Sequence, residues 1–343
     1  MLAWRERFHT LSQLFREYPP NSSKKTFKFF TRKALVLKDK SIVVHLSGGL
    51  GNQLFQFATG LSLSKITGKE LELNINLYKN PIIRNRGNYA YLGKRKYELG
   101  DFEDLAEIKI DKSPTPRDGR FERLIHFLDE DGKRRFGMAT ELSWLQGNWI
   151  KPGEINRLFG YFMSPKYFPN IEFESRFQKL SYPLQEKSRE LIQKLSEENS
   201  IAVHVRLTDY LSQSNYVVPS EEYYLSAIKY LQETIGLESK VYLFTDDIKT
   251  LKNRFPRLFS TGECLSQADD ISPSENLLLM SKSSAYVCSN STYSWWATRL
   301  SGVQKNRIVY PSHFYVDSSL PAATPDLWDD GSTAIDFLTG KKI

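Results

Sequence analysis

Residues 42–60 read IVVHLSGGLGNQLFQFATG: a short strand-like run, three glycines within four positions, then an apolar stretch. Glycine stands where the chain needs positive φ or where another group approaches the backbone closely. The run predicts a strand over 42–46, a tight turn, and a helix from about Leu54 to Thr67 that stops at Gly68. A helix starting after such a turn presents unpaired N–H groups and a positive dipole end, which suits an anion. A tight connection with no ligand is one reading of the turn. A dinucleotide fingerprint is another, since Gly49-x-Gly51 opens it and Glu72 lies about 20 residues on, but Leu54 stands at the third glycine position. A Walker loop is excluded, because no Gly-Lys-Ser/Thr follows. Asn52 and Gln53 each donate and accept hydrogen bonds, and serve a phosphate, a sugar hydroxyl or the helix's own first turn.

Outward from this stretch, apolar runs alternate with helical patterns, as in α/β units with parallel strands. Strands are expected at 71–75, 201–205, 241–245, 285–289 and 307–310, with helices near 184–198, 220–235 and 275–283. Residues 111–140 are charged and broken by Pro and Gly, and read as a variable excursion. A join near 165–185 divides the pattern into two Rossmann-like domains facing each other, with boundaries at 41–180 and 181–343. The chain's 343 residues fit two domains, and 40% hydrophobic residues suffice for their cores.

The net charge of +7 lies in residues 1–40, which carry ten Lys or Arg against three acids; the remaining 303 residues are neutral overall. Basic charge confined to one end does not describe a nucleic-acid groove, so no nucleic-acid partner is expected. The same segment places Trp4, Phe8, Leu11 and Phe15 at helical spacing. A basic amphipathic helix lies on an anionic membrane surface, or packs on the protein's own body or a second subunit. The chain shows no membrane-length apolar run and no signal-peptide pattern, and only two cysteines, Cys264 and Cys288. These features predict a cytoplasmic protein, peripheral at the inner membrane face if the helix binds lipid.

Ligands of open α/β sheets bind at the carboxyl ends of the strands. There, His204 and Arg206 are two apart and share a strand face. Arg206 offers a planar fork of donors to a diphosphate, and Asp209 either holds that guanidinium or acts as a base. Asp246 and Asp247 suit ribose hydroxyls or a base edge. Ser289, Asn290, Ser291, Thr292 and Ser294 supply hydroxyls and an amide where a helix starts, suited to phosphate oxygens. Each set also has a structural reading as ion pair or cap. Their convergence with the glycine turn describes a cleft for a nucleotide diphosphate. Metal binding is not expected: Asp129-Glu130-Asp131 sits in the charged excursion, and His9, His45, His126, His204 and His313 lack ligand spacing.

GGLGNQLFQFA (48–58), RKYEL (95–99), GYFMSPKYF (160–168), HVRLTDY (204–210), LFTDD (243–247) and NLLLMSKSSAYVCSNSTYSWWATRL (276–300) occur in this order, with ATPDLW (323–328) near the end. In these motifs the chain, from about residue 41 to 328, resembles the α-1,2-fucosyltransferases, especially the bacterial ones. The resemblance implies a GT-B fold with a nucleotide-sugar cleft between the two domains. It implies GDP-fucose as donor, an oligosaccharide acceptor, commonly galactose, attacked through its 2-hydroxyl with inversion, and no metal or other cofactor. It places Arg206 at the β-phosphate, His204 beside the nucleotide and Asn52, in the turn of Gly49 and Gly51, across from them. The family usually reads His-x-Arg-Arg-Gly-Asp-Tyr, whereas Leu207 and Thr208 stand where the second Arg and the Gly would be. That departure weakens diphosphate binding, changes the donor, leaves Arg206 sufficient, or marks a catalytically silent sugar-binding protein.

Overall fold

The computed structural model describes residues 40–79, 95–111, 138–140, 155–169, 174–236, 238–265, 271–316, 327–328 and 331–343. Residues 1–39, Asp129-Glu130-Asp131 and His126 lie outside them.

Two parallel sheets form the frame. The first contains β1 (Ser41–His45), β2 (Glu70–Asn74), β3 (Met138–Thr140) and β4 (Arg157–Phe159) in the order β2-β1-β4-β3. Helix α1 (Leu50–Thr67) links β1 to β2 and ends at Gly68, whose φ of 69° is the left-handed cap. A short α2 (Asn76–Lys79) follows β2. The second sheet is entered through α3 (Glu186–Glu197). It contains β5 (Ser200–Val205), β6 (Lys240–Thr245), β7 (Glu263–Cys264), β8 (Ala285–Val287), β9 (Ile308–Pro311) and β10 (Thr333–Ile335), ordered β10-β9-β8-β5-β6-β7. Its crossovers are α4 (Glu221–Ile235), α5 (Ile248–Arg254), α6 (Pro256–Thr261), α7 (Pro273–Met280) and α8 (Thr292–Ser301).

The local chemistry explains these elements. Every residue of β5 is buried, as a central parallel strand covered on both faces requires. Along β5 the period of two sends Ile201, Val203 and Val205 into one core and Ala202 toward the other. Helix α4 starts at Ser220, whose hydroxyl accepts from the Tyr223 N–H at 3.1 Å, with Glu221 and Glu222 in its first turn. Tyr223, Tyr224, Ala227, Ile228 and Leu231 then form its buried stripe.

The expected long strands and helices are all present. Those missing from the sequence analysis are short: β3, β4, β7 and β10 have two to three residues each, and α2, α5 and α6 have four, seven and six. β3 falls inside the stretch expected to be a charged excursion.

One buried cluster runs through both halves of the chain. Phe55 of α1 packs on Trp295 and Trp296 of α8, with ring centroids 4.6 and 5.1 Å apart, and Phe168 and Phe177 close the cluster around Trp296. Helices α1 and α8 therefore hold the two sheets together. Their approach depends on Gly51: a Cβ there would meet the Tyr293 backbone nitrogen at 2.6 Å and the Thr292 carbonyl carbon at 2.7 Å. Asn52 fixes the junction by accepting a hydrogen bond from the Thr292 hydroxyl at 2.8 Å.

Gly51→Ala is expected to cost about 1–3 kcal/mol through overpacking and to lower the thermal midpoint by several degrees. Adding Thr292→Ala should not restore it, because the obstructing atoms include backbone. Differential scanning calorimetry of both variants checks this.

Candidate functional site

One cleft lies beyond the carboxyl ends of β1, β4, β5 and β6. In the second sheet the strand order reverses between β5 and β8. Such switch points open a crevice at the carboxyl ends of the strands. The cleft has about 300 Å³ of free space and draws its walls from both halves: Gly48–Asn52 and Tyr161 from one side, His204, Arg206, Asp246 and Ser291–Tyr293 from the other.

Arg206 dominates the second wall. Its Nε donates to Asp209 Oδ1 at 2.9 Å, Nη2 stands 2.7 Å from the same oxygen, and Nη1 stands 3.0 Å from Asp246 Oδ2. Burial works against its charge, but Asp246 and Asp209 outweigh burial and hold the guanidinium ionised. Asp246 is itself gripped: Oδ1 accepts from the Leu207 N–H at 2.8 Å and Oδ2 from the Thr208 hydroxyl at 2.5 Å. Arg206 is thus fixed by two carboxylates, one of them fixed by the segment that departs from the usual family motif.

Leu207 is fully buried in the core on the opposite face of the second sheet, with Val203 and Val205. That position therefore does not line the cleft. The second cation is Arg95, which lines the cleft from the other wall and donates through Nη2 to Asp209 Oδ2 at 2.5 Å. Asp209 lies between two guanidiniums with both oxygens engaged, which is an orienting position. It was one of two roles expected for Asp209, and this geometry gives the base role no support.

His204 Nδ1 lies 2.8 Å from the Ser289 hydroxyl, which fixes the ring across the switch point. Burial and the charge of Arg206 lower its pKa to about 4, so the imidazole is neutral at pH 7. Ser291 caps α8, and Ser291, Thr292 and Tyr293 line the cleft at the start of that helix. Neither α1 nor α8 has an acidic residue in its first turn. Two positive helix ends therefore face the cleft beside Arg206 and Arg95, a setting for an anion. Tyr210, Tyr216, Phe314 and Tyr315 add an aromatic wall, in which Tyr210 and Tyr216 stack at 4.3 Å.

Three expected ligand residues are instead scaffold. Gln53 is fully buried; its amide donates to the Lys96 carbonyl at 2.7 Å and its oxygen accepts from the Glu98 N–H at 2.9 Å. Asp247 caps α5 by accepting from the Thr250 N–H and hydroxyl at 2.9 and 2.6 Å. Asn290 is buried and donates to the Val217 and Phe314 carbonyls at 2.8 and 2.7 Å. None of the three lines the cleft. Gly49, Gly51, Asn52, His204, Arg206, Asp209, Asp246, Ser291 and Thr292 do. Of the glycines, Gly51 makes room for α8 and Gly48 supplies the positive φ, 77°.

Sequence reasoning missed Arg95, Glu98 and Tyr161. All three stand in motifs already picked out, RKYEL and GYFMSPKYF, as residues with no assigned role. Phe162 takes φ 53°, rare for a bulky residue, and buries its ring against Tyr167 while its neighbours Tyr161 and Met163 line the cleft. Among the described residues no three His, Cys, Asp or Glu are grouped to hold a metal ion, and no helix is long and apolar enough to cross a membrane.

The buried histidines make stability depend on acid. His204 titrates at about 4 and His45, whose Nε2 lies 3.0 Å from Arg157 Nη1, at about 3, both for burial first. Each takes up a proton on unfolding below pH 6.5, so its contribution is fully present above 6.5 and is lost as pH falls toward the folded value. For His204 the loss by pH 4 is about 3 kcal/mol. Urea midpoints measured from pH 7 to pH 4 should fall, and His204→Gln should flatten part of that fall.

Residues 140–319 match the profile described as Glycosyl transferase family 11. This span carries Arg206, Asp209, Asp246 and the start of α8, while the glycine turn, Arg95 and Glu98 precede it. The chain is similar to an alpha-1,2-colitosyltransferase of Escherichia coli, 24% identical over 83% of this chain and 96% of that protein. It is also similar to the O-antigen biosynthesis glycosyltransferase WbnK of the same organism, 24% identical over 82% and 98%. A looser structural likeness, with TM-score 0.44 and 16% identity over 77% of this chain and 94% of the other, is to the fucosyltransferase NodZ from Bradyrhizobium. The motif resemblance is borne out at the level of the family: the chain belongs to glycosyl transferase family 11.

Proposed function

We propose that the chain is a GT-B glycosyltransferase that moves L-fucose from GDP-fucose to the 2-hydroxyl of an acceptor sugar, galactose by preference, with inversion. Its place is surface polysaccharide synthesis of the O-antigen type. The observation that carries this reading is the convergence of Arg206, Arg95 and two helix N-termini on one cleft. A nucleotide sugar leaves as a diphosphate, and donors already fixed in space stabilise that charge as it develops. Asp209 and Asp246 hold Arg206 in place, and the spare N–H groups of its fork meet the β-phosphate. The aromatic wall offers a face to the nucleobase, and Gln213 and Asn276 bring amides to the same cleft. Arg206 and Arg95 supply the positive charge that a metal brings to other transferases, and the proposed reaction proceeds without one.

The colitosyltransferase relative supports a second reading, in which the transferred sugar is a different deoxyhexose. Colitose is fucose without the 3-hydroxyl, so the same diphosphate site serves either donor. We also propose that residues 1–40 hold the enzyme at an anionic membrane surface, where a lipid-linked acceptor is found. Deleting them should abolish sedimentation with phosphatidylglycerol vesicles, and unchanged sedimentation would contradict it.

Calorimetric titration in EDTA separates the donor readings. GDP-fucose should bind, with UDP-galactose and dTDP-rhamnose at least tenfold weaker. Arg206→Ala removes charge-assisted hydrogen bonds worth about 1.5–3 kcal/mol each, and so weakens GDP-fucose about 10- to 100-fold. Arg95→Ala should weaken it about tenfold. Equal binding of all nucleotides, or full affinity in Arg206→Ala, would contradict the proposal. Tighter binding of GDP-colitose than of GDP-fucose would favour the second reading.

A further inference from the structure

An inverting transfer needs a group to take the proton from the acceptor hydroxyl, and Asp209 is committed to two arginines. Another carboxyl lines the same cleft. Glu98 stands on the wall built by α1 and the first sheet, whereas Arg206 stands on the wall built by the second sheet. Its backbone is held by Gln53, and its carboxyl lies near the Leu50 N–H at the start of α1, which favours the charged form. No arginine or lysine pairs with it among the ion pairs of the described residues.

We propose that Glu98 is the catalytic base. The inference rests on the transferase reading above. Glu98 takes the proton of the acceptor hydroxyl while that oxygen bonds the anomeric carbon. The bond from that carbon to the β-phosphate oxygen breaks, and its electron pair leaves with GDP beside Arg206. The proton then passes from Glu98 to solvent. Inversion requires that Glu98 and the departing diphosphate act on opposite faces of the transferred sugar.

The electrostatic surroundings agree. Burial raises the Glu98 pKa to about 7, and Asp101 adds to the rise, while Arg95, Lys96 and the Leu50 N–H oppose it. The phenols of Tyr78 and Tyr293 also face it, and their own pKa values are raised, by burial first. A base near the working pH is an effective proton acceptor. Gln53 and Gln56 acquire a purpose in this arrangement. Gln53 ties the segment bearing Glu98 to α1, and Gln56 ties α1 to the Gly160 carbonyl at 2.8 Å, beside Tyr161.

The test follows GDP release from GDP-fucose, with water or methyl β-galactoside as acceptor, in wild type, Glu98→Gln and Glu98→Asp. The wild-type kcat should rise with pH through about 7. Glu98→Gln should lose about 10²- to 10⁴-fold in kcat, lose that pH limb, and keep its Kd for GDP within about twofold. Glu98→Asp, which keeps a carboxyl, should retain the limb at lower kcat, and it decides the matter if the Gln variant fails to fold. A Glu98→Gln kcat within threefold of wild type, or a limb absent from Glu98→Asp, would overturn the base assignment alone. Absence of both GDP binding and GDP release in wild type would overturn the transferase reading and this inference together.

Discussion

Gly51 is the point on which the molecule turns. Without a Cβ there, the N-terminal ends of α1 and α8 come close enough for Asn52 and Thr292 to bond, and Phe55 reaches the tryptophan pair of α8. Residues that follow β1, β4, β5 and β6 then line one cleft. The same contact brings together two positive helix ends with no acid in either first turn. Like dipole ends repel, and this arrangement is relieved by negative charge between them. An anionic ligand suits that place.

The chain Arg206–Asp209–Arg95 spans the cleft, joining residues that are 114 apart in sequence across one of its two contacts. Partly buried ion pairs add little net stability, because desolvation offsets their attraction. Their effect here is geometric. Asp209 gives each guanidinium one fixed partner, and Asp246 gives Arg206 a second. Positive charge is in place before a phosphate arrives, so little reorganisation accompanies the chemistry. The backbone amides of Leu207 and Thr208 and the Thr208 hydroxyl hold Asp246 in turn. The departure from the usual motif therefore supports Arg206 from behind.

Much of this was legible in the sequence. The buried parallel strands are continuous apolar runs, and the period of two placed His204 and Arg206 on one face. The glycine turn announced a close approach, although its partner at Gly51 is α8 itself. What stayed hidden depends on partners far away in the chain. An amide gives no sign of whether it will meet a ligand or a carbonyl, so Gln53 and Asn290 resembled Asn52. Asp246 and Asp247 are adjacent acids facing different ways. The Asp247-x-x-Thr250 spacing is an N-cap signal that distinguishes them. Arg95 and Glu98 lie in a stretch without strong periodicity, and only the folded chain brings them to Asp209 and the cleft. Strands of two or three residues are too short to show a period at all.

The central claim is that a diphosphate sits between Arg206 and the start of α8. A crystal structure of the protein with GDP tests it most directly. The account predicts β-phosphate oxygens within hydrogen-bonding distance of Arg206 and of the Ser291–Tyr293 segment, with the guanidinium still held by Asp209 and Asp246. GDP bound elsewhere, or in this cleft with its phosphates turned away from Arg206, would contradict it.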